Sequence, residues 1–156
     1  MNISTNLNTL THLVVFKLDE SDFGIDLAVV EGAIRAVSVT PLPKAPEIVS
    51  GVINARGRII PVVNLRKRFR LPEREPEIED RLLIVHTATR AFAFVVDAVS
   101  GVLEITEPPL ITADTILPDL EYLQGVLKLK DGLILIHDLN RFLSLEEEQV
   151  LNEVLH

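Results

Sequence analysis

The strongest constraint on this chain is that it aligns with itself. Residues 13–33 lie without gaps over residues 82–102, at an offset of 82 − 13 = 69. Leu13, Phe23, Val30 and Gly32 then meet Leu82, Phe92, Val99 and Gly101. Residues 51–65 lie over 125–139 at an offset of 125 − 51 = 74. Here Gly51, Val52, Ile60 and Leu65 meet Gly125, Val126, Ile134 and Leu139, and Arg56 meets Lys130. Two copies, approximately 13–69 and 82–143, would share a 156-residue chain, the second longer in its middle by 74 − 69 = 5 residues. Apolar residues within each copy recur mostly in short runs bounded by turn residues, the pattern of strands. About five strands per copy predict an all-β fold of two small barrels packed together. Small closed barrels fill with side chains, so binding belongs on their surfaces or in the groove between them.

The punctuation refines this reading. Residues 12–18 and 23–30 flank the turn cluster Asp19-Glu20-Ser21-Asp22 and read as a hairpin, with 32–39 a third strand. Pro41, Pro43 and Pro46 then interrupt regular structure, and 46–50 can form one helical turn with proline at its start. Strands at 51–56 and 58–65 surround Gly57, with Pro61 predicting an edge or a bulge. Residues 70–81 read as a charged surface loop, and 106–121, with Pro108, Pro109 and Pro118, as a long connection. Strands are expected again at 81–88, 91–99, 101–105, 122–130 and 133–138. Residues 1–11 are polar and read as a loose tail. Ser144 and Glu147 match a capping box, and Leu151, Val154 and Leu155 follow at helical spacing, so 144–156 is expected to be a C-terminal helix.

Composition removes several function classes. There is no cysteine, hence no disulfide framework, thiolate metal site or cysteine nucleophile. Lys and Arg total 15 against 23 Asp and Glu, a net charge of −8 that repels phosphate backbones. Aromatic residues make up only 4%, too few for a base-stacking platform, so no nucleic-acid partner is expected. No apolar run approaches the roughly 18 residues of a membrane span. The first residues lack a basic segment followed by an apolar one, so no secretory signal and a cytoplasmic location are expected. No Gly-x-Ser-x-Gly elbow, Gly-rich phosphate loop or metal-spaced histidine cluster is present, so neither an enzyme, a cofactor nor a metal is expected. His86 and His137 stand alone in apolar strands and read as structural; Asp97 and His137 meeting in space is the nearest approach to a catalytic pair. The basic run Arg66-Lys67-Arg68-Phe69-Arg70 reads as a solvated turn balanced by Glu73, Glu75, Glu77 and Glu79.

One segment is more specific. Gly51-Val52-Ile53-Asn54-Ala55-Arg56-Gly57, continuing through Pro61 to Asn64-Leu65, resembles the G-h-h-N-x-R-G…P…D-L signature of CheW-like chemotaxis coupling proteins. Thr40-Pro41-Leu42-Pro43 upstream and 95–99, 122–126 and 133–136 downstream resemble the same family, so the likeness runs from about residue 12 to 143. Asn64 and Ala55 depart from its usual Asp and Leu. The resemblance implies a CheW-like domain over 12–143 built of two SH3-like five-stranded subdomains. It implies an adaptor that couples chemoreceptors to a histidine kinase, with no catalytic residue. Its partners would be the regulatory domain of a CheA-type kinase and the cytoplasmic tip of a methyl-accepting chemoreceptor. The alternatives are a CheW-like module of a non-flagellar pathway, for pili or another output, and a free-standing homologue of the kinase's own regulatory domain.

By the same resemblance Arg56, Val30 and Val102 map to a receptor-binding groove. A guanidinium beside a glycine turn offers five donors in a planar fork, suited to helix carboxylates and carbonyls. Val30 and Val102 mark a partner site if exposed and core if not. Leu42, held between two prolines, is a candidate kinase contact or a residue packed over a barrel end.

Overall fold

The computed structural model describes residues 10–106, 111–112, 123–130 and 132–155. It is mostly β. Strands β1 (His12–Leu18), β2 (Ser21–Asp26) and β3 (Val30–Arg35) precede β4 (Val49–Ala55), β5 (Arg58–Val63) and a four-residue helix α1 (Leu65–Arg68). Strands β6 (Arg81–His86), β7 (Ala91–Val96), β8 (Ala98–Glu104), β9 (Ile111–Thr112), β10 (Leu123–Leu129) and β11 (Gly132–His137) follow. Helix α2 (Leu145–Val154) comes last of these elements, capped by Ser144 and Glu147 in the reciprocal bonds of a capping box.

The strands form a six-stranded sheet ordered β8-β1-β2-β11-β10-β9 and a five-stranded sheet ordered β3-β6-β7-β5-β4. Neither sheet is built from consecutive strands. The hairpin β1–β2 joins β8, β10 and β11 of the second half, while β6–β7 joins β3, β4 and β5 of the first. The halves have exchanged their leading hairpins. The contacts that result are matched: β2 and β11 run parallel, as do β7 and β5. Strands β4 and β5 fall on β10 and β11 at the 74-residue offset, and irregularities in pairing recur at Gly51 and Gly125.

The expected closed barrels are corrected. Among the described residues no ladder joins β3 to β4 across the five-stranded sheet. The chain beyond β3 makes only a single bridge, Thr40 to Val52, because Pro41 and Pro43 cannot extend a ladder. The helical turn expected at 46–50 is also corrected: one Val49-to-Pro46 hydrogen bond closes a turn, and Val49 already starts β4. Pro61 lies on neither an edge nor the bulge. It sits in β5 between β4 and β7, just before the β7 ladder begins at Val62, where its missing N–H has nothing to donate to. The connection expected at 106–121 contributes β9, and its residues 107–110 and 113–121 lie outside the described residues. So do residues 1–9 of the expected tail; Leu10 is buried and Thr11 accepts a hydrogen bond from Ile105.

The exchange explains the continuous apolar runs. Leu13 and Val15 of β1 enter a cluster with Leu127, Ile134 and Ile136, while Val14, Phe16 and Leu18 point the other way. In β6, Leu82 and Ile84 pack with Ile53, Ile60 and Val62, while Leu83 and Val85 point the other way. The outward sets of both sheets meet in one shared core. Strands buried on both faces lose polar alternation. All six phenylalanines join through ring contacts across this core, with Phe142 touching Phe69, Phe92 and Phe94.

Candidate functional site: the hairpin turn and the outer strands

Ala55 of β4 opposes Arg58 of β5, so Arg56 and Gly57 form a two-residue loop. Both have positive φ, 54° and 83°, as the turn matched to strand twist requires. Glycine adopts this at no cost; an arginine there costs about 1 kcal/mol. Asn54 offsets part of it by accepting the Gly57 N–H at 2.9 Å. The Asn-x-Arg-Gly pattern is therefore a turn chemistry: the asparagine closes it, the glycine completes it, and the arginine is presented from it. Arg56 is exposed, and no hydrogen bond or ion pair engages its guanidinium among the described residues.

Beside it, Arg58 donates to Glu31 of β3, whose other oxygen stands 3.5 Å from Nδ1 of His86. The Arg58–Glu31 pair ties the start of β3 to the β4–β5 hairpin. Val30 and Arg56 thereby sit toward one end of the five-stranded sheet. Val30 is half-buried against the shared core, which leaves only part of it for a partner. Val102 lies on β8, the outer strand of the six-stranded sheet, opposite Val14, and is 58% exposed. Leu42 is half-buried and packs against the shared core, so most of an exposed knob is already covered.

Sequence reasoning missed two residues on these surfaces. Ile59 on β5 and Leu133 on β11 are 56% and 54% exposed. They are partners at the 74-residue offset, each next to a buried isoleucine, Ile60 or Ile134. Neither strand alternates, reading exposed-exposed-buried from its start, so the sequence carried no periodic signal for them.

The basic run at 66–70 is a correction. Arg66 and Arg68 are only 11% and 14% exposed, and they hold the molecule together rather than face water. Arg66 donates to both oxygens of Asp97 at 2.8 and 2.9 Å, to Asp19 at 2.6 Å and to the carbonyl of Pro72. Asp97 also accepts from Arg74 at 2.6 Å and from the Asp19 N–H at 2.8 Å. Burial pushes the Asp97 carboxyl up, but these donors outweigh it and hold the group below the usual range. Arg68 clasps both oxygens of Glu147 and so anchors α2. Asp97 is fully engaged in this joint and forms no catalytic pair with His137.

His137 lies among Phe23, Phe69 and Phe142, with Nδ1 bonded to the carbonyl of Leu135 at 3.0 Å. Burial lowers its pKa to about 4. A lowered folded pKa means the unfolded chain takes up the proton first, so stability falls as pH drops from about 6.5 to 4. The expected loss is about 3 kcal/mol over that window. Urea denaturation at pH 7 and pH 4.5 on the wild type and His137→Leu checks this. The variant should lose distinctly less over the same interval; parallel losses would remove His137 as the cause.

Among the described residues no group of three or more His, Asp or Glu is placed to hold a metal ion, and no helix is long and apolar enough to cross a membrane.

Comparison with known proteins places this geometry. Residues 12–147 match the family model described as CheW-like domain. The chain is 30% identical over 145 residues to the chemotaxis protein CheW of Treponema pallidum, covering 89% of this chain and 85% of that one. It is 41% identical over 95 residues to the chemotaxis protein CheW of Thermotoga maritima, 61% and 62% of the two chains. Its structure superposes on the crystal structure of the scaffolding protein TtCheW from Thermoanaerobacter tengcongensis with a TM-score of 0.79 and 32% identity, covering 89% and 96%.

Proposed function

Because the chain belongs to the CheW-like domain family, we infer that it is a chemotaxis adaptor that couples chemoreceptors to a CheA-type histidine kinase. The observation that carries this is the family match from the first strand to the C-terminal helix, on a chain whose own turn motif presents Arg56. An adaptor needs two faces and no chemistry. Holding two proteins side by side raises their effective concentration for each other, and receptor state can then shift the kinase between conformations. The kinase's regulatory domain and the cytoplasmic receptor tip are the assigned partners, which puts the adaptor at the cytoplasmic side of a receptor array.

The receptor face is assigned to the end of the five-stranded sheet that carries Arg56 and Val30, with Val102 on the outer strand of its neighbour. Support comes from the exposed, unengaged guanidinium, held on a strained turn that a solvated loop has no need to maintain. SH3-like subdomains describe the local strand order, with the exchanged hairpins as the variation.

Calorimetric titration into the regulatory domain of a CheA-type kinase from the same organism tests the function; saturable one-to-one binding is expected. A folded sample that binds none of that organism's CheA-type kinases would sink it. For the receptor face, Arg56→Glu should weaken binding to a receptor-tip fragment about tenfold or more, the scale of one charge-assisted bidentate contact. Kinase binding and melting temperature should be unchanged. Equal receptor affinity in the variant would remove Arg56 from the face.

A further inference from the structure

A cleft of about 550 Å3 opens beside the five-stranded sheet, away from the Arg56 turn. Its walls are the chain after β3, Ser50 of β4 and the 73–77 segment; Val62, Val63 and Val95 form its floor. Three features of it are unused by the adaptor reading.

The first is backbone. The Ala36 N–H donates to the Asp80 carbonyl, and Thr40 exchanges two bonds with Val52. Between them Val37, Ser38 and Val39 make no backbone–backbone hydrogen bond among the described residues. Among the described residues strand β4 is an edge strand, bonded on its outer side at Val52 alone, and Ser50 lies on it facing the cleft. Unpaired backbone beside an edge strand is a template for another strand. The second feature is charge. Arg66 and Arg74 line the cleft but are held by Asp19, Asp80 and Asp97, three carboxylates to two guanidiniums. Glu73 and Glu77 on the wall add to the excess. The third is the apolar floor, with Val37 half-exposed at its rim.

We propose that this cleft takes a short, extended, basic segment of a partner protein by strand addition along residues 37–39. Main-chain bonds supply the affinity, alternate aliphatic side chains enter the floor, and the intervening lysines or arginines face the carboxylate rim. The site is separate from the Arg56 face and stands independently of it.

The test is an NMR titration of the 15N-labelled chain with the capped peptide Lys-Val-Lys-Val-Lys. Saturable shifts concentrated on the amides of Val37, Ser38, Val39 and Ser50 are expected. Binding should weaken roughly tenfold for the Glu-Val-Glu-Val-Glu peptide and for the variant Glu77→Lys. Glu77 is exposed, so the variant's spectrum away from the loop should match the wild type. A Lys-Val-Lys-Val-Lys peptide N-methylated at alternate residues should lose binding. Equal binding by the methylated peptide would overturn strand addition, and equal binding by the acidic one would overturn the charge argument. Shifts scattered over the acidic surface would reduce the effect to non-specific attraction and overturn the site.

Discussion

Asp97→Ala is expected to lower stability by about 3 kcal/mol, the lower end of the cost of breaking a buried ion pair, because each guanidinium keeps one other carboxylate. The side chain is only 21% exposed and accepts from one nitrogen each of Arg66 and Arg74, themselves 11% and 24% exposed. Removing it leaves Arg66 to Asp19 and Arg74 to Asp80, and unties the joint where the β1–β2 turn, helix α1, the 70s loop and the β7–β8 junction all meet. Coupling is the diagnostic. Arg66→Ala added to Asp97→Ala should cost much less than the two single losses combined, because each single change already breaks the pair. Acid should reproduce part of the effect. The carboxyl is held below its usual pKa of 3.8, so its contribution is present above that value and is lost as pH falls through the folded pKa. Urea denaturation of the four proteins at pH 7 measures the coupling. Additive losses, or a single loss within about 0.5 kcal/mol of wild type, would mean the joint is a solvated surface pair.

Gly51→Ala should cost about 3 kcal/mol, the upper end of what overpacking a fixed site costs. A Cβ at Gly51 would stand 2.2 Å from the carbonyl oxygen of Thr40, backbone that cannot rotate away. Thr40 is held there by its two bonds to Val52, 2.8 and 2.9 Å long. Thus the substitution strains the bridge that draws the chain after β3 onto β4. Gly32→Ala is the control. Nothing lies within 4 Å of its added Cβ and its φ is ordinary, so it should stay within about 0.5 kcal/mol of wild type. Thermal melts of both variants decide it. If Gly51→Ala melts with the wild type, the Thr40 carbonyl moves freely and the bridge contributes nothing.

The candidate site was legible where function and turn chemistry coincide. Gly57 marks a turn between two strands by residue type, whereas the left-handed place of Arg56 inside a two-residue loop, closed by Asn54, came only from the structure. Val30 and Val102 were not separable in sequence, since valine suits a buried or an exposed strand position equally. Both stand on outer strands, but Val30 faces the shared core while Val102 takes an exposed place in the in-out alternation of β8. Arg66 and Arg68 read as solvated because their partners, Asp19, Asp97 and Glu147, are between 31 and 79 residues away along the chain.

By itself the sequence determined local matters: the strand repeat at offsets of 69 and 74 residues, the capping box at Ser144 and Glu147, and the turn at Gly57. Each depends on residues within a few positions of one another, where spacing and backbone preference act directly. Which hairpin joins which sheet was decided only in three dimensions. Leu13 and Leu82 occupy equivalent places in the two copies, so each hairpin has the apolar faces to fit either sheet. What selects the exchanged arrangement is the closing of one core over both sheets by the six phenylalanines, together with the long-range pairs of Arg66, Arg68 and Arg74. Those contacts exist only once both halves are folded together, and no local pattern encodes them.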